Sequence, residues 1–463
     1  MIKSSMLVEN VKRFSRNFVA DATCFSTLLV ISCVLLFALT AQVEADKNSE
    51  PVIQIGLVKH FSGLTTVCFT SDSDYKLTSG SYSTAAPANS ILKISLRSEP
   101  VQSSEDSQTG IAGYSSLKVP CCEATIDGVI KEMGISPNSL SITPENSDSF
   151  IRIAGPSINS SNSLQWHTYS GYMRVSAAGA ELSIVDVLPL EKYLYGVLPA
   201  EIGSEGPIEA LKAQAIAART FALKNLNKFR TQGFDLDDTT RSEGYVDTDG
   251  ETSVCTRAVN ETKGIVLTFH GQLIDAMYST DSGGVTACDD TGQFPYFQAV
   301  HDTLPGSKID IGHDMSKHKW TCQIAAAKLD AIVQNNVLTV VPGFKGMSID
   351  GYDASGRITQ FTLVGTNGMK REVSGPKMRS VLGPNLLYST RATMKVDANG
   401  QYIFTGFGWG HGFGMSQRGA LILAGEPYSE TAAQILHRYY VGTDLTPFSA
   451  ATKLSIASVP PQP

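Results

Sequence analysis

Between Gly406 and Gly414 every second residue is glycine, with Phe407, Trp409, His411 and Phe413 between them and Met415, Ser416, Gln417, Arg418 and Gly419 following. Few backbones tolerate such a run. In an extended chain successive side chains alternate faces, so one face would be bare main chain and the other aromatic rings and an imidazole. Glycine weakens an ordinary strand, so the pattern implies that something approaches this backbone closely. Two readings follow. The close neighbour is a ligand with flat apolar faces and hydroxyls, such as a sugar ring, or it is the protein's own core in a glycine-rich turn.

The rest of the chain sets the context. Its 463 residues leave ample material for a large core, and 42% hydrophobic with 17% charged residues is a globular composition. A net charge of −7 speaks against a nucleic-acid partner, which calls for a basic face. Lys3, Lys12, Arg13 and Arg16 make residues 1–21 a basic n-region, and residues 22–45 are an apolar signal peptide or signal-anchor ending near Val43-Glu44-Ala45. The span is close to the roughly 20 residues that cross a bilayer, so it leaves the membrane as a partner if uncleaved, and the remainder is expected to be exported. Six cysteines then lie outside that segment: Cys68, Cys121, Cys122, Cys255, Cys288 and Cys322. Disulfides are permitted, in pairings that sequence does not choose between, and buried free thiols are the alternative. The absence of any CxxC pair argues against a cysteine zinc cluster.

Residues 46–181 read as a β-rich accessory domain. Pro51 to Val58 and Ile91 to Leu96 are strand-like, and Ser103 to Gly110 and Pro156 to Ser163 have loop composition. From residue 182 to 445 the pattern is mixed, giving an α+β protein overall, with a tail at 446–463. Leu182 to Leu188 is a strand candidate. Pro207 to about Lys228 is the strongest helix, with Pro207 suited to its first turn, Ser204 a nearby cap, and Ile208, Leu211, Ala215, Ala218, Ala222 and Leu226 at helical spacing. Strands are expected at Gly264 to Phe269, Leu273 to Ser279 and Ile358 to Leu363, and helices near Ile324 to Gln334 and Ser429 to Tyr440.

Glu201 is the leading catalytic candidate. It lies between Pro199 and Pro207, just ahead of the long helix, whose positive end would favour its anion. A general acid needs the opposite, a pKa raised by burial, which surfaces such as Trp409 or Tyr195 could supply. Glu205 and Glu209 are expected to be solvated. The stretch Tyr278 to Thr286 (YSTDSGGVT) is a polar turn able to touch a ligand, but Ser282 has no GxSxG elbow. His301, His313 and His318 show no metal spacing and read as surface residues. The glycine run is no phosphate cradle either, lacking GxxxxGK[ST] and a βαβ context.

Three segments together resemble the SpoIID family, also called the SpoIID/LytB or amidase-enhancer domain: PLEKYLYGVLPAEIGSEGPIEALKAQAIAARTFA (189–222), YSTDSGGVT (278–286) and GWGHGFGMSQRGA (408–420). The resemblance implies that Glu201 is the catalytic glutamate. It also implies that Gln214, Arg219, Ser282, Gly283, Gly284, Trp409, His411 and Gln417 bind substrate. The implied reaction is lytic transglycosylation of peptidoglycan glycan strands between MurNAc and GlcNAc, leaving 1,6-anhydroMurNAc ends, with no cofactor. In sporulation members it prefers glycans stripped of stem peptides. A single glutamate suffices, because the sugar's own 6-hydroxyl attacks, whereas glycoside hydrolysis normally needs a carboxylate pair.

Family members can carry a CDTTHC-type segment that holds zinc. In this chain Asp237, Arg241 and Ser242 stand where Cys, His and Cys would be, so no metal is expected. The family also covers non-catalytic glycan-binding enhancers of an N-acetylmuramoyl-L-alanine amidase, which makes a cell-wall amidase the alternative partner. A purely structural envelope protein would give no reason for three such motifs in this order.

Overall fold

A computed structural model describes residues 50–98, 120–126, 129–130, 139–155 and 165–449. The expected leader, the loops at 103–110 and 156–163 and all but the start of the tail lie outside the described residues. From Val52 onward the chain forms one compact unit, and the fold is mixed α+β. Among the described residues no helix is long and apolar enough to cross a membrane.

Strand Val52–Gly56 pairs antiparallel with Glu181–Pro189 and parallel with Leu236–Asp237. Glu181–Pro189 then pairs with Tyr172–Ala178, and the sheet continues through Leu140–Pro144, Tyr75–Ser79 and Tyr82–Ala86. A second sheet runs Gln165–Tyr169, Ile151–Gly155, Thr66–Ser71, Leu92–Ser98, Pro120–Ile126 and Val129–Ile130. Alternation places Ile53, Ile55, Phe69, Ile94, Ile153 and Val175 inward, in a core that extends without a break to Leu194, Leu211 and Val266. The change of character near residue 182 therefore falls inside a shared sheet and a shared core.

Helices follow in chain order. They are α1 (Val58–Phe61), α2 (Leu190–Glu201), α3 (Ile208–Lys224), α4 (Ser253–Glu261), α5 (Ala326–Gln334), α6 (Gly375–Leu382), α7 (Gln417–Ala424) and α8 (Ala432–Tyr439). The segment from Leu190 to Glu201, unassigned from its sequence, is helical despite Pro199. Helix α3 starts at Ile208 with Pro207 as its N-cap and no side-chain cap, so Ser204 does not cap it. Its alanines let α2, α4, α7 and α8 pack closely around it, and both of its faces are consumed. The helix expected at Ser429 to Tyr440 is α8, which begins at Thr431 in a capping box with Gln434. Residues 274–277 are not strand, so the expected run to Ser279 is two short pieces, Gln272–Leu273 and Tyr278–Ser279.

Residues between Trp320 and Phe404 build a separate core around Phe361, Leu363 and Met378. Strand Tyr402–Phe407 pairs with Lys319–Ile324 and leads directly into the glycine run. Cys68, Cys255, Cys288 and Cys322 are free thiols, each with its pKa pushed up by burial, so the disulfide option is closed for these four.

Arg219 locks the helical layer. Its guanidinium is fully buried and makes a bidentate pair with Glu191 of α2, at 2.9 Å from Nε and 2.6 Å from Nη2. The same group donates to the carbonyls of Val259 at 3.2 Å and Ile265 at 3.1 Å. One side chain thus ties α2, α3, α4 and the strand Ile265–Phe269 together. Removing one partner would leave a buried, unpaired charge. Arg219→Met should lower the unfolding free energy by about 3–5 kcal/mol, measured by urea denaturation. Adding Glu191→Leu should recover part of that loss, and a loss below about 1 kcal/mol for the single variant would contradict this role.

Candidate functional site

Glu201 is the last residue of α2, at the helix's negative end, and not at the start of α3. The macrodipole there opposes its anion. Burial raises the Glu201 pKa above the usual 4.5, while the Gly244 amide and the Gln417 side chain hydrogen-bond to it and hold it partly down. Gly244 N–H donates to Glu201 Oε1. A Cβ at 244 would come within 3.2 Å of that oxygen and 3.3 Å of Ala200 Cβ, so glycine allows the amide its approach.

Sequence reasoning missed the neighbour. Glu243 is 1% exposed, with Oε1 accepting from Tyr278 Oη at 2.7 Å and Oε2 from Tyr193 Oη at 3.2 Å. Burial first, and the Glu201 charge second among the raising effects, push its carboxyl well above the ordinary range. Both tyrosines also feel the charge of Glu201. Two carboxyls therefore share one poorly solvated place, and burial raises both, the fully buried Glu243 most strongly. No spacing rule points from 201 to 243; the only signal was an acidic residue beside a glycine downstream of Asp237-Asp238.

The structure brings Gln214 and Gln417 to the same spot. Gln417 Nε2 lies 3.5 Å from Gln214 Oε1, and the Gln214 amide nitrogen is buried with no partner among the described residues. Tyr195, expected to desolvate Glu201, instead donates to Asn260. Glu205 is exposed, whereas Glu209 accepts from the Ala432 amide at 2.8 Å and pairs with Lys212 at 3.0 Å.

Other expected contacts are engaged within the protein. Arg219 is fully buried in its ion pair with Glu191. Ser282 is buried and donates to Asp302 at 2.6 Å, and Gly283 and Gly284 are buried beside it with positive φ. The glycine run is not extended: Gly408, Gly410, Gly412 and Gly414 all have φ between 65° and 120°. Its close neighbour is protein. A Cβ at Gly412 would sit 1.9 Å from Arg357 Nη2, and that buried guanidinium donates to the Ser282 and Val285 carbonyls at 2.7 and 3.0 Å.

His411 Nδ1 accepts from the Phe413 amide at 3.0 Å, and the ring also hydrogen-bonds the Tyr278 backbone. Burial and the nearby arginines push it down to about 4, so it is neutral at physiological pH with both nitrogens engaged. Trp409 keeps a half-buried ring 5.9 Å from that of Tyr388, with Lys317 Nζ 4.1 Å from its centroid. Its backbone bridges Asp281, three residues from Tyr278, so the aromatic patch and the Glu243 anchor hang from one short segment. His318, expected on the surface, is buried between Asp281 at 2.8 Å and Asp310 at 3.3 Å.

The residues at the zinc-ligand positions bind one another. Arg241 Nη2 pairs with Asp237 Oδ2 at 2.5 Å, and Ser242 Oγ accepts from the Asp237 amide at 3.2 Å. A carboxylate neutralised by a guanidinium beside a hydroxyl does not fit a zinc site, and the turn is closed by an ion pair.

The family described as SpoIID, Stage II sporulation protein, matches residues 178–269. An uncharacterized protein of Brachyspira hyodysenteriae is 31% identical over 293 residues, 62% of this chain and 74% of that protein. Stage II sporulation protein D of Bacillus subtilis is 32% identical over 287 residues, covering 57% and 76%. The Amidase enhancer of Bacillus subtilis is 31% identical over 297 residues, 55% of this chain but 40% of the relative. The chain belongs to the SpoIID family.

The Glu243 environment makes a signed prediction. A carboxyl whose folded pKa is raised stabilises the fold below its unfolded pKa, and that contribution is lost as pH rises. Glu243→Gln should match the parent near pH 4 and become progressively more stable than it from about pH 4.5 upward, read as melting temperature against pH. Equal pH profiles would show that Glu243 is charged in the fold.

Proposed function

We propose that this protein is an exported lytic transglycosylase that cleaves peptidoglycan glycan strands between MurNAc and GlcNAc. The observation that carries the reading is the setting of the Glu201 carboxyl, which ends α2, is partly buried and accepts the Gly244 amide, a setting that pushes its pKa up. In its neutral form Glu201 gives its proton to the glycosidic oxygen as the C1–O bond breaks. The MurNAc 6-hydroxyl attacks C1, and the Glu201 carboxylate takes the hydroxyl proton, leaving a 1,6-anhydro ring and a regenerated acid. Protons balance with one residue and no water.

Burial and the Glu201 charge push the Glu243 carboxyl toward its protonated form, which limits negative charge beside Glu201. Gln417 orients the carboxyl, the buried Gln214 backs Gln417, and Trp409 offers a ring face to the strand. The apolar leader is what supports export.

A second reading has its own support in the similarity to the Amidase enhancer: glycan binding without cleavage, in partnership with a cell-wall amidase. Incubation with peptide-free glycan strands and mass spectrometry of the products separates the two. Anhydromuramoyl ends are expected from the parent, and Glu201→Gln should reduce their formation by at least roughly 10²-fold without loss of glycan binding. Binding without anhydromuramoyl ends would favour the enhancer reading, and full activity of Glu201→Gln would remove Glu201 from the mechanism.

A further inference from the structure

A cavity of about 530 Å³ opens on the outer face of the second sheet, lined by Thr70, Asn89, Arg152, Trp166, Thr168 and Asp249. Thr70, Arg152 and Thr168 stand abreast on three neighbouring strands. Trp166 lies two residues before Thr168 and so on the same face. The opposite face carries the buried Phe69, Ile151, Ile153 and Tyr169, which leaves this indole no part in the core.

The polar groups around the cavity are unspent. Among the described residues, no side-chain hydrogen bond or ion pair engages Thr70, Asn89, Arg152, Trp166, Thr168 or Asp249. By contrast, Arg174 on the first sheet is tied to Gln54 and the Gly233 carbonyl. A guanidinium, a carboxylate, an amide, two hydroxyls and an indole line one cavity, and these are group types suited to a sugar. The indole takes the apolar face of a pyranose, the neutral groups take hydroxyls, and the guanidinium takes an acidic substituent.

The cavity is joined to the Glu201 site through one segment. Gly244 contacts Glu201, Asp247 binds His167 at 2.8 Å, Thr248 donates to the Thr168 carbonyl at 3.2 Å, and Asp249 lines the cavity. Asp249 lies five positions beyond Gly244, so their backbones are at most roughly 18 Å apart.

We propose that this cavity is a second glycan subsite, which stacks a sugar on Trp166 and pairs Arg152 with the free lactyl carboxylate of a muramic acid that carries no stem peptide. The inference rests on the proposed glycan substrate and adds a source of selectivity, since an amide-linked peptide would abolish that carboxylate.

Calorimetry in a Glu201→Gln background tests it with a peptide-free MurNAc–GlcNAc octasaccharide, chito-octaose, which has no carboxylate, and the free stem peptide. The parent should prefer the muramic oligosaccharide, and Trp166→Ala and Arg152→Ala should each weaken it by roughly tenfold or more. Arg152→Ala should also bring its affinity down to that of chito-octaose. Unchanged affinity in both variants while the Glu201-containing protein still cleaves would overturn the subsite and leave the enzyme reading intact. Binding that needs Trp166 and Arg152 without cleavage would uphold the subsite and sink the enzyme reading. Binding of the stem peptide alone would overturn the subsite.

Discussion

A carboxyl kept out of water beside a second, more deeply buried carboxyl is the constraint around which this molecule is arranged. Desolvation favours the protonated form of both groups, and two negative charges in one place are worse than one. The fold answers with unequal supports. Glu243 receives two tyrosine hydroxyls and no surface, whereas Glu201 receives one amide and one glutamine and keeps an opening. Burial pushes both carboxyls up, Glu243 further than the partly buried Glu201. The supports come from far apart in the chain: α2 and Gly244, Tyr278, and Gln417 at the head of α7.

Holding those distant pieces in register is what the glycine run does. Positive φ at alternate residues lets the backbone coil against the segment 277–285 and the buried Arg357. Asp302 gathers hydroxyls from Ser282 and Tyr439, which pins the same turn to α8. The run therefore acts on the site mainly from behind, with the half-buried Trp409 ring set beside Tyr388 and Lys317. Arg219 and the Asp237–Arg241 ion pair do related work in the helical layer and in the turn before Glu243.

Much of this was legible in the chain. The α3 helix announced itself through Pro207 and its alanine periodicity, and the strands near 52–56 and 181–189 through alternation. The resemblance of three segments to the SpoIID family pointed to Glu201, Gln214 and Gln417, which lie together. Other features were hidden for physical reasons. A proline inside α2 obscured a helix whose first turns are fixed by packing, and with it the fact that Glu201 sits at a helix end of the opposite sign. Arg219 and His411 carry polar groups that look like ligand contacts, but their partners, Glu191 and the Phe413 amide, satisfy them internally. Alternating glycine fits either a strand or a coil of positive φ, and only the third dimension distinguishes them. Glu243 and Trp166 belong to no periodic pattern, so their meaning depends wholly on what the fold places next to them.

The most direct measurement of the central claim is the titration of the Glu201 carboxyl itself, followed by ¹³C NMR in glutamate-labelled protein and assigned by its loss in Glu201→Gln. The account predicts a midpoint clearly above the usual 4.5, at a signal distinct from a Glu243 that titrates higher still. A Glu201 midpoint at or below 4.5 would contradict it, because the residue would then be an ordinary anion with no proton to give.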